Sequence, residues 1–185
     1  MSWILTHSGQ KFDLLSPQPE HVNIHDIAHA LSHLCRFNGH SSEFYSVAHH
    51  SLLVAGIVHE RAPEHTLIAL LHDAHEAYTG DITRPLKSAL NEITEGLISE
   101  IEGSVHQAIC AHFGIDPVIP DIVHQADMIA LATERKYLMH EDHGYWECLE
   151  GVDPRPSADF DETVEHKCIK TSFLIGFDLA KAVSA

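Results

Sequence analysis

Residues 70–81 read LLHDAHEAYTGD and concentrate side chains fit for metal or acid–base chemistry. His72 and Asp73 are adjacent, Glu76 follows one turn later, and Asp81 comes directly after Gly80. On a helix advancing about 100° per residue, His72, Asp73 and Glu76 project within an arc of roughly 100°. The apolar run Leu67-Ile68-Ala69-Leu70-Leu71 leads straight into them. Ionisable groups beside such a run are costly to bury unless paired, hydrogen-bonded or bound to a metal. His50 shares a helical face with Val47, Val54, Ile57 and Val58, and Asp127 sits between Ala126 and Met128 in another apolar stretch. Each has an ordinary alternative: a histidine satisfied inside a core, or a charge on a helix face. His49, next to His50, points about 100° away on a helix and is expected to be exposed or to support the site from behind. Taken together, two imidazoles and two carboxylates from three helical segments make a mixed nitrogen–oxygen ligand set for a divalent transition metal. Water on such an ion ionises near neutral pH and becomes a nucleophile.

The elements that must position these residues are helical by period. The first twenty residues, with Pro17 and Pro19, read as extended or turn-like. Helices are expected over 22–35, 44–61, 63–79, 88–113, 122–139 and 160–183. Pro63 suits a first helical turn, and Gly80 is a plausible stop for the third helix. Residues 82–85 break the pattern, and 140–159, with Gly144, Gly151, Pro154 and Pro156, read as a long loop. No segment shows convincing strand alternation, repeat or low complexity. The expectation is one all-α domain over residues 1–185.

Composition narrows the functions. The 185 residues carry 11 basic and 27 acidic side chains, a formal net charge of −16. That balance argues against a nucleic-acid backbone or an anionic membrane as partner, since both reward basic surplus. A small phosphorylated substrate stays compatible, because a metal and a few local cations can overcome the wider field. The four cysteines are scattered without C-x-x-C spacing, which suits free thiols in a reducing compartment. The first residues lack the basic and apolar regions of a signal peptide, and no apolar run nears the roughly 20 residues that span a bilayer. A cytoplasmic location is expected. The 18 histidines are dispersed rather than in tracts, which disfavours a histidine-rich metal buffer.

With these residues in view, the chain resembles the HD-domain metal-dependent phosphohydrolases. The family pattern of a histidine, a His-Asp pair and a distant aspartate is matched by His50, His72-Asp73 and Asp127. The resemblance is closest to small bacterial 5′-deoxynucleotidases and phage deoxyadenosine triphosphate triphosphohydrolases. There the pair extends to H-D-A-x-E and then G-D-(I/L)-x-x-P-(L/V)-K, matched by residues 72–76 and 80–87. It covers roughly residues 36–127, and implies a helical bundle of about six helices. It also implies that His50, His72, Asp73 and Asp127 hold the metal (Mn, Co, Fe, Ni, Zn or Mg). Glu76 would orient water or take its proton, and Asp81 would donate a proton or organise water on the metal. Arg36 would grip phosphate, with Lys87 as second cation, and Phe37 would contact sugar or base where the deoxynucleotidases have tryptophan. Arg84 and His40 are further candidates. The implied reaction is hydrolysis of (deoxy)nucleoside 5′-monophosphates to nucleoside and phosphate. Alternatives are triphosphate release from a deoxynucleoside triphosphate, or a non-catalytic nucleotide or metal sensor. A homo-oligomer is expected on resemblance alone.

Overall fold

Side-chain capping decides where the central helix begins. Ser46 accepts the backbone N–H of His49 (3.4 Å), and the His49 ring returns a contact to the Ser46 backbone (3.2 Å), a reciprocal cap that satisfies otherwise orphaned donors. In the computed structural model, which describes residues 1–140, 144–156 and 166–183, this helix is α2 (Val47–His59). Before it come a short antiparallel hairpin, β1 (Trp3–Leu5) and β2 (Lys11–Asp13), and α1 (Ile24–His33). After it come α3 (Thr66–Leu71), α4 (Glu76–Thr79), α5 (Arg84–Thr94), α6 (Leu97–Phe113), α7 (Asp121–Leu138) and α8 (His166–Val183). The fold is all-α, as expected. Helix α2 packs against α1, α3, α7 and α8, and Ile27, Leu31, Ile57, Leu70, Leu71, Ile109 and Phe173 are buried in the apolar core. Burial of each such side chain contributes about 1.5–3 kcal/mol. Among the described residues, no helix is long and apolar enough to cross a membrane.

Three expectations are corrected. The hairpin was not anticipated, because three-residue strands are too short to show alternation. It matters to the core: Phe12 of β2 is fully buried and stacks on Tyr78 at 3.8 Å. The expected helix over 63–79 is a 3₁₀ turn (Pro63–His65), α3, a turn through residues 72–75, and α4. Across that turn the chain tightens to three-residue hydrogen bonds, Ala74 N–H to Leu71 O and Glu76 N–H to Asp73 O, both 3.0 Å. The His72 ring makes a 2.8 Å bond to the carbonyl of Ala69, the acceptor that serves the N–H of residue 73 in a regular α-helix. Gly80 ends α4 with φ +84°, as expected of a glycine stop.

The expected helix over 88–113 is two helices. Glu95 and Gly96 lie between them with φ of 54° and 89°, so the chain turns there. Helix α5 also starts earlier than expected, with Pro85 in its first turn, where a missing N–H costs nothing. Of the expected loop 140–159, residues 144–156 are described and include a 3₁₀ turn, Glu147–Leu149. Residues 141–143 and 157–159, and the expected start of the last helix at 160–165, lie outside the described residues. Helix α8 approaches α2 and α3 closely at Gly176, where a built Cβ would lie 3.2 Å from Leu52 Cδ2.

Candidate metal centre

Four of the expected residues converge from three segments. His50 comes from the first turn of α2, His72 and Asp73 from the turn after α3, and Asp127 from α7. His50 Nε2 is 3.1 Å from Asp127 Oδ1 and 3.5 Å from Asp73 Oδ2. His72 Nε2 is 3.1 Å from the same Asp73 oxygen, and the two imidazole rings are 5.3 Å apart. Ligand atoms of His50, His72 and Asp127 all lie within 4.8 Å of one another.

The other ring nitrogen of each histidine is committed elsewhere. His72 Nδ1 donates to the Ala69 carbonyl at 2.8 Å. His50 Nδ1 donates to Glu134 Oε1 at 2.6 Å, and Glu134 is fully buried. Such bonds fix the tautomer and leave Nε2 with its lone pair facing inward. Both Nε2 atoms are buried without a well-aligned hydrogen bond, their near neighbours being the Asp127 and Asp73 carboxylate oxygens at 3.1 Å. Lone pairs aimed at neighbouring carboxylates repel unless a cation lies between them, so the donor set fits a metal ion. The buried His, Asp and Glu groups could hold one.

The electrostatics agree. Burial and the Arg36 guanidinium press the His50 pKa down, yet Glu134 and Asp127 outweigh them and raise it to about 10. Burial also disfavours the Asp73 carboxylate, but His72 and His50 hold its pKa well below the usual range. Glu76 moves the other way: burial first, then the charges of Asp73 and Asp81, push its pKa well above normal. Asp81 is raised chiefly by burial, against the pull of Arg36.

A cavity of about 510 Å³ opens beside this cluster, a volume suited to a small organic molecule. Asp73, Glu76, Asp81 and Asp127 line it, as do Arg36, Phe37, Arg84 and Lys87. Arg36 is held from behind: its Nε and one terminal nitrogen donate to Glu134 Oε2 at 3.2 and 3.1 Å. Its other terminal nitrogen is 3.8 Å from Asp73 Oδ2. Phe37 reaches the wall through a left-handed backbone, φ 54°, shared with Asn38 at φ 52°. That conformation costs a non-glycine residue about 1–2 kcal/mol. Lys87 pairs with Glu102 at 3.0 Å. His40 is exposed and is not among the lining residues.

Several features escaped the sequence reading. His49 is buried and caps α2, because a helix starts at Ser46 and turns its third residue back on the cap. Glu134 was not anticipated. The one signal for it is its place seven residues, two helical turns, after Asp127, which puts both on one face of α7. Tyr145, Trp146 and Cys148, from the stretch expected to be loop, also line the cavity. The Trp146 ring lies 6.5 Å from that of Phe37.

No family model matches the chain. It is 41% identical over 152 residues to the uncharacterized protein YfdR of Escherichia coli (strain K12), across 82% of this chain and 81% of YfdR. It is 37% identical over 131 residues to the uncharacterized protein RCAP_rcc00048 of Rhodobacter capsulatus, across 68% and 65% of the two chains. With that identity sustained over four-fifths of both sequences, the chain belongs to the family of YfdR.

Proposed function

We propose that this protein is a metal-dependent phosphohydrolase of the HD-domain type that converts (deoxy)nucleoside 5′-monophosphates to nucleoside and phosphate. The observation that carries the reading is the pair of buried, inward-facing Nε2 atoms of His50 and His72, each 3.1 Å from a carboxylate oxygen, set beside a cavity that mixes acids with cations. A divalent ion held there supplies Lewis acidity and lowers the pKa of water. The chain's own residues do the rest. Glu76, buried with its Oε2 unpartnered, takes a proton, and Asp81 returns one to the departing oxygen. Arg36 and Lys87 hold phosphate oxygens, and Phe37 contacts sugar or base. Phosphoryl transfer depends mainly on such positioning and charge stabilisation.

The lining favours a monophosphate over a triphosphate. Arg36, Arg84 and Lys87 face four carboxylates, Asp73, Glu76, Asp81 and Asp127. Arg36 and Lys87 are already paired with Glu134 and Glu102, which leaves little positive charge for a longer phosphate chain.

The test offers metal-depleted protein, reloaded separately with Mn²⁺, Co²⁺, Mg²⁺ or Zn²⁺, a panel of deoxynucleoside mono- and triphosphates. Phosphate release from monophosphates that disappears in Asp73→Ala is expected. Release of triphosphate instead would move the substrate to deoxynucleoside triphosphates. Metal binding with no turnover of any nucleotide would make the protein a sensor and end the enzyme reading. Glu76→Ala is expected to retain the ion at His50, His72 and Asp127 while kcat falls by about 10²–10⁴-fold.

A further inference from the structure

We propose that Asp73, His75 and Glu76 form a second divalent-cation site, joined to the first through Asp73. One ligand atom from each of the three lies within 4.8 Å of the others. Two buried atoms of this group lack hydrogen-bonded partners: His75 Nδ1 and Glu76 Oε2. Glu76 is 5% exposed, so water does not readily compensate the lost bonds, and an unpartnered buried acceptor is costly.

Backbone geometry explains why the three meet. On a continuous α-helix His75 would project about 160° away from Asp73. The tightened turn between α3 and α4, with Glu76 N–H bonded to Asp73 O, approaches 3₁₀ geometry, in which residues three apart eclipse one another. Asp73 and Glu76 then stack on one side and His75 comes round to about 120° from them. The same break that removes the regular helix assembles the second group.

Asp73 adjoins the first group and belongs to the second. Its Oδ2 contacts His72 and His50 at 3.1 and 3.5 Å, and the same residue supplies an atom to the cluster with His75 and Glu76. A carboxylate has two oxygens and can serve two cations. Glu76 likewise keeps one oxygen for a proton when the other binds an ion. One imidazole with two carboxylates is an oxygen-rich set that suits Mn²⁺ or Fe²⁺ better than a thiolate-seeking ion. The proposal rests on the metal reading of the first group but on no substrate.

Titration of metal-free protein with Mn²⁺, counting bound equivalents, tests it. The wild type is expected to bind two equivalents, and His75→Ala and Glu76→Ala one each. His75→Gln keeps the side-chain bulk and carries the test if His75→Ala does not fold, folding being read by circular dichroism. Asp127→Ala is expected to weaken the first ion while the second remains. A single equivalent in the wild type, lost in Asp127→Ala and retained in His75→Ala, would overturn the second site and leave the first. Two equivalents that persist in both His75→Gln and Glu76→Ala would overturn it equally. No binding by the wild type would overturn both sites.

Discussion

Glu134 divides its carboxylate between two partners: Oε1 orients His50 and Oε2 holds Arg36. Through it one buried side chain sets both the imidazole aimed at the candidate metal centre and the guanidinium on the cavity wall. Glu134→Gln keeps the shape, but it replaces the carboxylate with a neutral amide that binds Arg36 and the His50 N–H more weakly. Metal affinity is expected to fall by about 10–100-fold, the usual consequence of losing a group that orients a ligand; calorimetric titration reads it. An unchanged affinity would mean that α2 alone positions His50. Glu134 was illegible in the sequence because Glu134-Arg135-Lys136 reads as a solvated helix face. Its burial depends on α2, whose His50 is 84 residues away in the chain. His50, His72, Asp73 and Asp127 were legible because their residue types are anomalous within apolar stretches, and that anomaly survives without knowledge of packing.

At the scale of elements, the N-terminal hairpin is fastened to α1 by one acid. Asp26, buried on α1, accepts the Ser8 backbone N–H at 2.8 Å and the Ser8 hydroxyl at 2.7 Å. Burial raises its pKa, but hydrogen bonds from Thr6 and Ser8 outweigh that and hold it below 3.8. A depressed carboxylate pKa contributes stability above the unfolded value and loses it as pH falls through the folded one. Asp26→Asn is therefore expected to cost about 1–2 kcal/mol at neutral pH. Its deficit in melting temperature should shrink as the pH drops below the ordinary carboxylate pKa. A deficit constant with pH would assign the loss to packing rather than charge. The helices themselves were readable from apolar period, and their breaks were not. Gly96 hinted at one, but Glu95 in a left-handed conformation is disfavoured locally and is imposed by the packing of α5 on α6. The turn at residues 72–75 carries a bond from the His72 ring to the Ala69 carbonyl, and residue type alone does not tell a ring bound to the backbone from one pointing into solvent.

For the whole molecule, a net charge of −16 and a carboxylate-lined centre mean that a cation bound there would stabilise the fold. Metal at 100 times its dissociation constant is expected to add about 2.7 kcal/mol. For a domain of this size that corresponds to a rise of roughly 5–10 °C in melting temperature, reversed by chelator. Asp127→Ala should show much less of it. No rise in the wild type would count against the metal reading. Helix α8 exposes Ile175, Leu179 and Val183 at 55%, 66% and 51%, four residues apart along one side.

The pairing of Arg36 with Glu134 has a consequence for the order of events at the ribosome. The partners are 98 residues apart, and His50 waits 84 residues for the same glutamate. The local turn that carries His72, Asp73, His75 and Glu76 can form as soon as it emerges, but the centre cannot close until α7 has been made. Closure of the centre is thus a late step, and a chain truncated before residue 134 is expected to hold an ion at His50, His72 and Asp127 far more weakly even with its His-Asp pair intact.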